Sequence, residues 1–549
     1  MELKTQKEKF VGFTLGPILE TMGMTSTPAG LWAASYMFSF LTRSICEYLA
    51  ENKNVSEEDI FSPYFSLSEE PTMDGVGLYH DHIIVRKGDL TLLDAAEAAD
   101  AAKRKLKSLL LPDQKESEEL GEVFRKDEFD ELVDNYIKIS IFEFGKDSGE
   151  TAIMASKDHF NCIELESSIM PAIERNPLLS LFDGRESGVN SVAKNKLIKS
   201  SGLVKQETSE EWQLYGKDRK TIRSIENIAH GNGPEDKKTT YYYVVLRSDG
   251  DSMSDVIKQC DENAESGNQI IKFSRACLEY CKEAAECVKK YGGVTIYSGG
   301  DDLLAIVPVE SDLKLNVENV DRQKNVFDLI TDISAIFKQR FEKLKEDLGA
   351  ADMPVPTLSF GAAVCYERFP LYEALSLSAD MLFEIAKNQK DAENKSEKDF
   401  TAITFRKHSG QTETLLIKNS SLSKVTKLFD DIYKGGERIK DFLSSINNKL
   451  FTFQELFRTA LGLGKDTVKN AFKNTFDSEI HNDNEFIFGE CADLLWGIEN
   501  DEPEYRIHAL FPYDGEYKRD KDNDAVQSFD KLFRVIKFFG EKTDRRDDR

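Results

Sequence analysis

Two stretches of the sequence, YYYVVLRSDGDSMS (241–254) and YSGGDDLLAIVP (297–308), decide the fold. Each contains a run of β-branched and aromatic residues, which is typical of a buried strand. The first run ends in Asp-Gly-Asp, and the second follows a Gly-Gly pair that permits a tight hairpin turn. We therefore expect neighbouring strands whose acidic residues meet at one edge of a sheet.

The elements around these two strands predict a ferredoxin-like unit, in which helices cross between antiparallel strands. The long apolar-periodic segment between the strands predicts a helix over about 265–291. The elements expected after the second strand are a helix (322–348), a strand (357–366), a helix (371–387) and a last strand (402–408).

The N-terminal part of the chain repeats the start of this order. A strand at 10–15, a helix from about 31 to 50 and a strand or hairpin at 75–90 match strand 241–251, its helix and the later hairpin. Only the second copy carries clustered carboxylates. The expected fold class is α+β, with two ferredoxin-like domains. The expected domains are a first, degenerate copy (1–164), a mainly helical intervening region (165–235), a second copy with the hairpin (236–410) and a C-terminal helical bundle (411–549).

Composition excludes several classes of protein. With 72 Lys+Arg against 98 Asp+Glu, the chain of 549 residues has a net charge of −26, which disfavours a free-standing nucleic-acid binder. Membership in a complex whose basic subunits hold RNA remains compatible with this charge. The apolar stretch 31–41 is too short to cross a membrane. Eight cysteines without a C-x-x-C pair suggest neither a disulfide framework nor a zinc ribbon. We expect a cytoplasmic protein without membrane contact.

The acidic residues at the strand ends predict a site for divalent metal ions. Asp249 and Asp251 end one strand, and Asp301 and Asp302 follow the glycine turn of the other. Mg²⁺ and Mn²⁺ prefer carboxylate oxygens, and a pair of such ions serves phosphoryl transfer. Backbone N–H groups at the glycines can also approach a triphosphate closely. Alone, SGGDD would more often be a polar turn, but the upstream Asp-Gly-Asp favours a functional site.

These motifs resemble a known family. The stretches 242–254, 297–308 and SFGAAVCYERFPLYEAL (359–375) look like the large polymerase-palm subunit of type III CRISPR–Cas effector complexes, in the Cmr (III-B) branch. FTLGPI (13–18) and TPAGLWAASYMFSFL (27–41) resemble that subunit's first palm. The resemblance implies that the two ferredoxin-like domains are palm domains related to nucleotide cyclases, the first of them (1–164) degenerate and the second (236–410) carrying the hairpin. It also implies synthesis of cyclic oligoadenylates from ATP when guide RNA in the complex has paired with a target transcript, with other Cmr-type subunits as partners.

The resemblance also implies roles for individual residues and two ions of Mg²⁺ or Mn²⁺. The implied metal ligands are Asp249, Gly250 through its backbone, and Asp301; the implied catalytic residues are Asp249, Asp301 and Asp302; the implied nucleotide-binding residues are Gly250, Ser252, Ser298, Gly299 and Gly300. Leu31, Trp32 and Ser35 are candidates for the other nucleotide pocket, although core packing is the favoured role of Trp32.

Two departures limit the resemblance. The first palm-like strand begins at about residue 10, which leaves no room for the HD nuclease domain of many relatives, and the zinc-binding cysteines between the palms are missing. His80-Asp81-His82 has no distant His and Asp partners for an HD metal site, so a structural role on a strand is favoured. GLGKDT (462–467) lacks a complete phosphate-binding motif and predicts a turn between helices.

Three functions remain open from the sequence. The first is synthesis of cyclic oligoadenylates, in which a ribose 3′-hydroxyl attacks the α-phosphate of ATP. The second uses the same palm to transfer AMP to another acceptor, such as S-adenosylmethionine. The third is a catalytically inactive scaffold that senses target pairing.

Overall fold

The protein is described here from a computed structural model and has a mixed α+β fold. Of the interval 165–235, expected to be mainly helical, the structure describes Leu165 and the segment 224–230; the rest lies outside the described residues. The described residues are 8–23, 25, 27–69, 72–73, 76–111, 126–147, 149–165, 224–230, 241–260, 268–318, 320–391, 393–434, 439–476, 485–513, 516–518 and 525–547.

The first unit is an antiparallel sheet of four strands in the order β2-β5-β1-β6. A small hairpin of two further strands, β3 and β4, lies between β2 and β5 in sequence. The strands of this unit are β1 (Lys9–Gly16), β2 (Ile60–Ser62), β3 (Thr72–Met73), β4 (Val76–Gly77), β5 (His82–Arg86) and β6 (Lys138–Gly145). Its helices are α1 (Ile18–Gly23), α2 (Pro28–Asn52), α3 (Leu92–Leu110), α4 (Lys126–Glu131) and α5 (Ala152–Glu164).

The second unit begins with the strand that was expected to decide the fold. Strand β7 (Tyr242–Asp251) lies inside an eight-stranded sheet of order β18-β17-β16-β15-β12-β7-β9-β8. It is buried along most of its length, which agrees with its continuous apolar run. The other strands of the expected unit are β8 (Val294–Gly299), β9 (Asp302–Pro308), β12 (Thr357–Tyr366) and β15 (Phe400–Arg406).

The helices of the second unit follow the sequence closely, with one interruption. They are α6 (Ile225–His230), α7 (Met253–Ile257), α8 (Gln269–Tyr291), α9 (Val326–Leu348) and α10 (Leu371–Ala379). The helix expected over 371–387 changes into a π-helical turn at Asp380–Ile385 and a 3₁₀ turn at Ala386–Asn388. A hairpin of β10 (Glu310–Val317) and β11 (Val320–Asn325), which the sequence did not indicate, precedes α9. A second small hairpin pairs β13 (Gln389–Lys390) with β14 (Ser396–Glu397).

The sheet continues into the segment expected to be purely helical. Three strands extend it from β15, namely β16 (Thr412–Lys418), β17 (Ile507–Tyr513) and β18 (Glu516–Lys518). The remaining described elements there are helices α11 (Leu422–Lys434), α12 (Ile439–Thr452), α13 (Gln454–Leu463), α14 (Lys465–Thr475), α15 (Glu485–Glu499) and α16 (Ala525–Asp547). Helix α16 packs on the added strands, where the Ser528 hydroxyl accepts a hydrogen bond from the backbone N–H of Ala509 at 3.0 Å. The expectation of a helical bundle is therefore correct for most of this segment but misses its strands.

Two further expectations can be compared with the structure. All eight cysteines are free, as their spacing predicted. Within the described part of the chain, no helix combines the length and the apolar character that crossing a bilayer requires.

Gly361 gives a first prediction, on stability. A β-carbon at this position of β12 would lie 2.3 Å from the carbonyl oxygen of Ser378 and 2.4 Å from the backbone nitrogen of Leu382, so α10 and the π-turn would have to shift. We expect Gly361→Ala to destabilise the second unit by about 2–4 kcal/mol, since overpacking against backbone cannot be relieved by rotating a side chain. Thermal unfolding measures this. As the control, Gly462→Ala, with no atom within 4 Å of the added carbon in α13, should be neutral or slightly stabilising.

Candidate functional site

The register of the second sheet brings the acidic residues of its two motifs together. Ser248 of β7 pairs with Leu303 of β9, and Gly299 pairs with Asp302 across the hairpin turn. Asp249 therefore lies one residue beyond the last paired position, next to the turn that carries Asp301. The expected juxtaposition of the Asp-Gly-Asp and Gly-Gly-Asp-Asp segments is present.

Gly250 is required by the closeness of these two segments. A β-carbon on Gly250 would lie only 2.4 Å from the Asp301 carboxylate oxygen Oδ2 and 2.7 Å from Cγ of Met253. The backbone N–H of Gly250 also donates a hydrogen bond to Asp301. Because the Asp301 carboxylate is held against the β7 backbone, its position relative to Asp249 is fixed.

The electrostatics of the site show an excess of negative charge. Burial, followed by the neighbouring Asp249 carboxylate, raises the pKa of Asp301 to about 6. Enclosure by the surrounding protein, followed by repulsion from Asp301 and Asp249, raises the pKa of Asp302 well above its usual value, even though the side chain is open to the adjoining cavity. Such carboxylates ionise readily only when a cation lies near them.

Lys387 supplies one such cation, and the sequence motifs did not indicate it. Its ammonium nitrogen Nζ lies 2.5 Å from Oδ2 of Asp249 and donates a hydrogen bond of 2.7 Å to the carbonyl oxygen of Gly250. Its charge lowers the pKa of both Asp301 and Asp302. Lys387 follows the π-helical turn Asp380–Ile385, and π-turns inside helices are often found at functional sites.

The remaining residues of the two motifs lie in three different settings. Gly300 has a φ of +67°, which fits the tight turn, and an added β-carbon on Gly299 would lie 2.5 Å from the Tyr297 hydroxyl. Ser298 is fully buried, and its hydroxyl donates to the carbonyl oxygen of Cys281, so the side chain is turned towards α8 and away from the carboxylates. Ser252, with a φ of +58°, is exposed just before α7.

Asp251 is the buried member of the Asp-Gly-Asp segment, and its hydrogen bonds are to the surrounding fold. It is 2% exposed and accepts hydrogen bonds from the hydroxyls of Ser359 (2.9 Å) and Thr357 (3.0 Å) and from the backbone N–H of Asp399 (3.1 Å). Because Asp251 ties β7 to β12 and to the segment before β15, it holds the end of the strand that carries Asp249.

Asp399, beside Asp251, gives a second prediction. Burial raises its pKa to about 6 although Lys418 opposes the shift, and its φ is +69°. A carboxyl whose pKa is higher in the folded than in the unfolded state loses stabilisation as pH rises through that interval, here from about 4 to 6. Asparagine keeps an acceptor for the Asn419 amide, tolerates positive φ and carries no charge. We therefore expect Asp399→Asn to stabilise the protein by about 1–3 kcal/mol at pH 8 and to have little effect at pH 4, measured by thermal unfolding at both values.

The first unit faces Asp302 across a cavity of about 620 Å³. Asp302 and Arg247 line one side, and Asp81, His82 and Glu164 of the first unit line another. The complete set of lining residues is Thr14, Leu15, Gly16, Pro17, Ile18, Leu19, Glu20, Met22, Asp81, His82, Lys138, Ser140, Ile163, Glu164, Arg247, Ser248, Tyr297, Asp302, Leu303, Leu304, Leu382 and Phe383.

The segment His80-Asp81-His82, for which a structural role was favoured, contributes to this cavity. Nε2 of His82 lies 2.6 Å from Oε1 of Glu164, and ligand atoms of Asp81, His82 and Glu164 lie within 4.8 Å of one another, close enough to hold a cation. His80 lies beside Gly300, since its ring carbon is 4.0 Å from the place of an added β-carbon there. The sequence did not indicate this group because its members meet only through the packing of α5 on β5 within the first unit.

The other candidates from the sequence lie in structural settings. Leu31, Trp32 and Ser35 are buried in α2, and the Trp32 ring stacks on Tyr36 with centroids 5.1 Å apart, so the core role favoured for Trp32 is confirmed. GLGKDT (462–467) is the turn between α13 and α14, as predicted.

The part of the chain that contains this site is similar to proteins of a known family. Residues 242–395 match the family model described as Cas10/Cmr2, second palm domain. The CRISPR system Cmr subunit Cmr2 of Pyrococcus furiosus is 26% identical in an alignment of 335 residues that covers 54% of this chain and 34% of that protein, so the match spans about a third of the relative's length.

Two solved structures resemble the whole described fold. They are the type III-B Cmr-beta complex in its apo state and the same complex bound to cognate target RNA, each with a TM-score of 0.52 and a coverage of 97% of this chain. The matches cover 82% and 83% of those chains at 12% and 11% identity, and they show a shared fold. The resemblance that the sequence indicated is confirmed: this chain is similar to the Cas10/Cmr2 palm subunit of type III CRISPR systems.

Proposed function

We propose that the chain is the nucleotidyltransferase subunit of an RNA-guided type III CRISPR complex, with its active centre at Asp249, Asp301 and Asp302. The observation that carries this proposal is the meeting of Asp249 and Asp301 with Lys387, beside Asp302, which lines a cavity shared with the first unit. The proposed partners are other Cmr-type subunits, guide RNA and target RNA, and the proposed compartment is the cytoplasm.

The strand orders support two palm domains. When the four strands of the first sheet are numbered in chain order (β1, β2, β5, β6), they lie across the sheet as 2-3-1-4. Strands β7, β8, β9 and β12 of the second sheet, numbered in the same way, lie as 4-1-3-2, which is the same order read from the other edge. This is the order of a ferredoxin-like unit. We accordingly propose palms at 1–164 and 236–410, an intervening region at 165–235, and a C-terminal, mainly helical domain at 411–549 that also extends the second sheet.

The donor atoms at the site fit Mg²⁺ or Mn²⁺. Two carboxylates, Asp249 and Asp301, and the carbonyl oxygen of Gly250 offer hard oxygen ligands, and the ammonium group of Lys387 already contacts two of these three groups. The two carboxylates and the Gly250 carbonyl oxygen would hold the metal. Two bound ions would supply activation of an attacking hydroxyl and stabilisation of the departing pyrophosphate.

The chain's own residues then have definable tasks in the attack of a ribose 3′-hydroxyl on the α-phosphate of ATP. Gly299 and Gly300 keep the hairpin turn free of side chains, so its backbone N–H groups can approach the triphosphate. Ser252 and Gly250 offer backbone contacts, and we propose that Ser298 acts through its backbone because its side chain is buried. Repetition of this transfer and ring closure would give cyclic oligoadenylates when target RNA is bound.

The test is a product assay on the assembled complex. The complex with guide RNA is incubated with ATP and Mg²⁺, with and without target RNA and with and without S-adenosylmethionine, and the products are separated chromatographically. Oligoadenylates that depend on target RNA support the proposal. Absence of any nucleotide product under every activating RNA leaves the inactive scaffold as the function of the chain.

The cavity favours one second candidate, transfer of AMP to an acceptor that carries positive charge, such as S-adenosylmethionine. Glu20, Asp81 and Glu164 give the first unit's side of the cavity three carboxyl groups against Lys138 and His82, and His82 is bound to Glu164. A second triphosphate would be repelled by such a wall, whereas a cationic acceptor would be attracted. In the same assay, a product that contains AMP and requires S-adenosylmethionine would support this candidate. The substitution Glu164→Lys should then selectively reduce the yield of that product.

A further inference from the structure

Two large apolar side chains line the cavity yet remain exposed. Leu19 of α1 is 70% exposed, and Phe383 in the π-turn is 49% exposed. They come from different units. Single exposed apolar residues are common on protein surfaces, but here both belong to one cavity that also contains the catalytic carboxylate Asp302. A cavity with an apolar wall and a few charged groups is typical of a ligand site that takes a partly apolar molecule.

The backbone around Phe383 supports a binding role. The helix α10 departs from α-geometry at Asp380–Ile385, and this π-turn contains both Leu382, which is buried, and Phe383, which faces the cavity. Lys387, one turn later, reaches Asp249. The same short segment therefore supplies an aromatic ring to the cavity and a positive charge to the site at which phosphates are proposed to bind.

We infer that Phe383 is the stacking platform for the purine base of ATP and that Leu19 of the first unit contributes apolar surface to the same cavity. The inference rests on the proposed function, because it takes the triphosphate to lie near Lys387. Flat aromatic rings bind nucleobases by stacking, and the contribution of one such contact corresponds to roughly a 5- to 100-fold change in affinity. Pro17, Ile18 and Met22 add apolar surface around Leu19.

The experiment compares two ligands that differ in the base. Equilibrium binding of ATP and of inorganic tripolyphosphate to the full chain is measured by calorimetry with Ca²⁺, which prevents turnover. For Phe383→Ala, ATP should bind roughly 5- to 100-fold more weakly, while tripolyphosphate binding stays unchanged. Phe383→Tyr should restore ATP affinity, because it keeps the ring. Tyr372→Ala, which removes another exposed ring from α10 outside the cavity, is the matched control and should bind both ligands normally.

Three results would overturn the inference. They are unchanged ATP binding by Phe383→Ala, an equal loss of ATP and tripolyphosphate binding, which would indicate a structural role, and a wild-type chain that does not bind ATP. Failure of the proposed function is a separate outcome. If wild type binds ATP through Phe383 but the assembled complex forms no nucleotide product, the stacking inference stands and the transfer reaction is rejected.

Discussion

Replacing Asp301 and Asp302 together by alanine is expected to abolish nucleotide transfer by the assembled complex, with a loss of at least about 10³-fold. Asp301 is one of the two carboxylates proposed to hold the metal, and its contact with the Gly250 backbone fixes it beside Asp249. Asp302 adds the carboxylate that faces the cavity. The measurement is the rate of product formation from ATP in the presence of guide and target RNA.

The double variant should fold and assemble, and this separates loss of chemistry from loss of structure. The raised pKa values of Asp301 and Asp302 mean that their ionised forms are disfavoured in the metal-free fold, so removing them relieves repulsion. We expect the metal-free variant to unfold at the same temperature as wild type or higher at pH 8. As the control, Asp347→Ala/Asp352→Ala removes two exposed acids, at the end of α9 and in the segment before β12, and this variant should remain fully active. Products that persist in an assembled Asp301/Asp302 variant would falsify the assignment of the active centre.

The sequence predicts the centre of the second unit well because the determining signals are local. Strand β7 is a continuous apolar run, and the turn at Gly299–Gly300 can be formed by few residues other than glycine, so strand, hairpin and acidic edge follow from short stretches. The helix expected over 322–348 begins four residues later, at Val326, because the polar strand β11 occupies the start of that segment.

Contacts between distant segments could not be predicted in the same way. In the described part of the chain, five α-helices lie between β16 and β17, so the pairing of these strands is not a local signal. The group of Asp81, His82 and Glu164 depends on how α5 packs on β5. Such pairings are determined by tertiary packing, which one sequence without aligned relatives does not reveal.

Lys387 shows the same limit within the site. A lysine near the end of an amphipathic helix is ordinarily a solvated charge, and the segment 371–387 carries no motif that distinguishes it. Its role follows only from the π-turn and from β7, which together bring Nζ to Asp249 and to the Gly250 carbonyl. The acidic motif predicts that a cation is needed, but it does not predict that the protein supplies one itself.

Replacing Lys387 by methionine is expected to reduce nucleotide transfer by roughly 10²–10³-fold, since one preorganised charge at a phosphoryl site has an effect of this size. Methionine retains most of the length of the side chain and removes the charge. Without Lys387, the pKa of Asp301 should rise above about 6, because this lysine is the cation that lowers it, so metal binding should require a higher pH. The measurements are the rate against Mg²⁺ concentration and pH, with Lys390→Met as the control at an exposed lysine three residues away.

The same variant distinguishes two roles of the lysine. If the ammonium group only fills the place of a metal ion, its removal frees Asp249 and the Gly250 carbonyl, and saturating Mg²⁺ should restore the wild-type rate. If the ammonium group moves to the triphosphate once metal is bound, the rate stays low at saturating Mg²⁺ and the KM for ATP rises. We expect the second result, because the Lys387 side chain is 16% exposed and its charge acts on Asp301 and Asp302 as well as on Asp249, which places the ammonium group close to the hairpin turn. Full recovery of the rate with Mg²⁺ would restrict Lys387 to stabilising the metal-free fold.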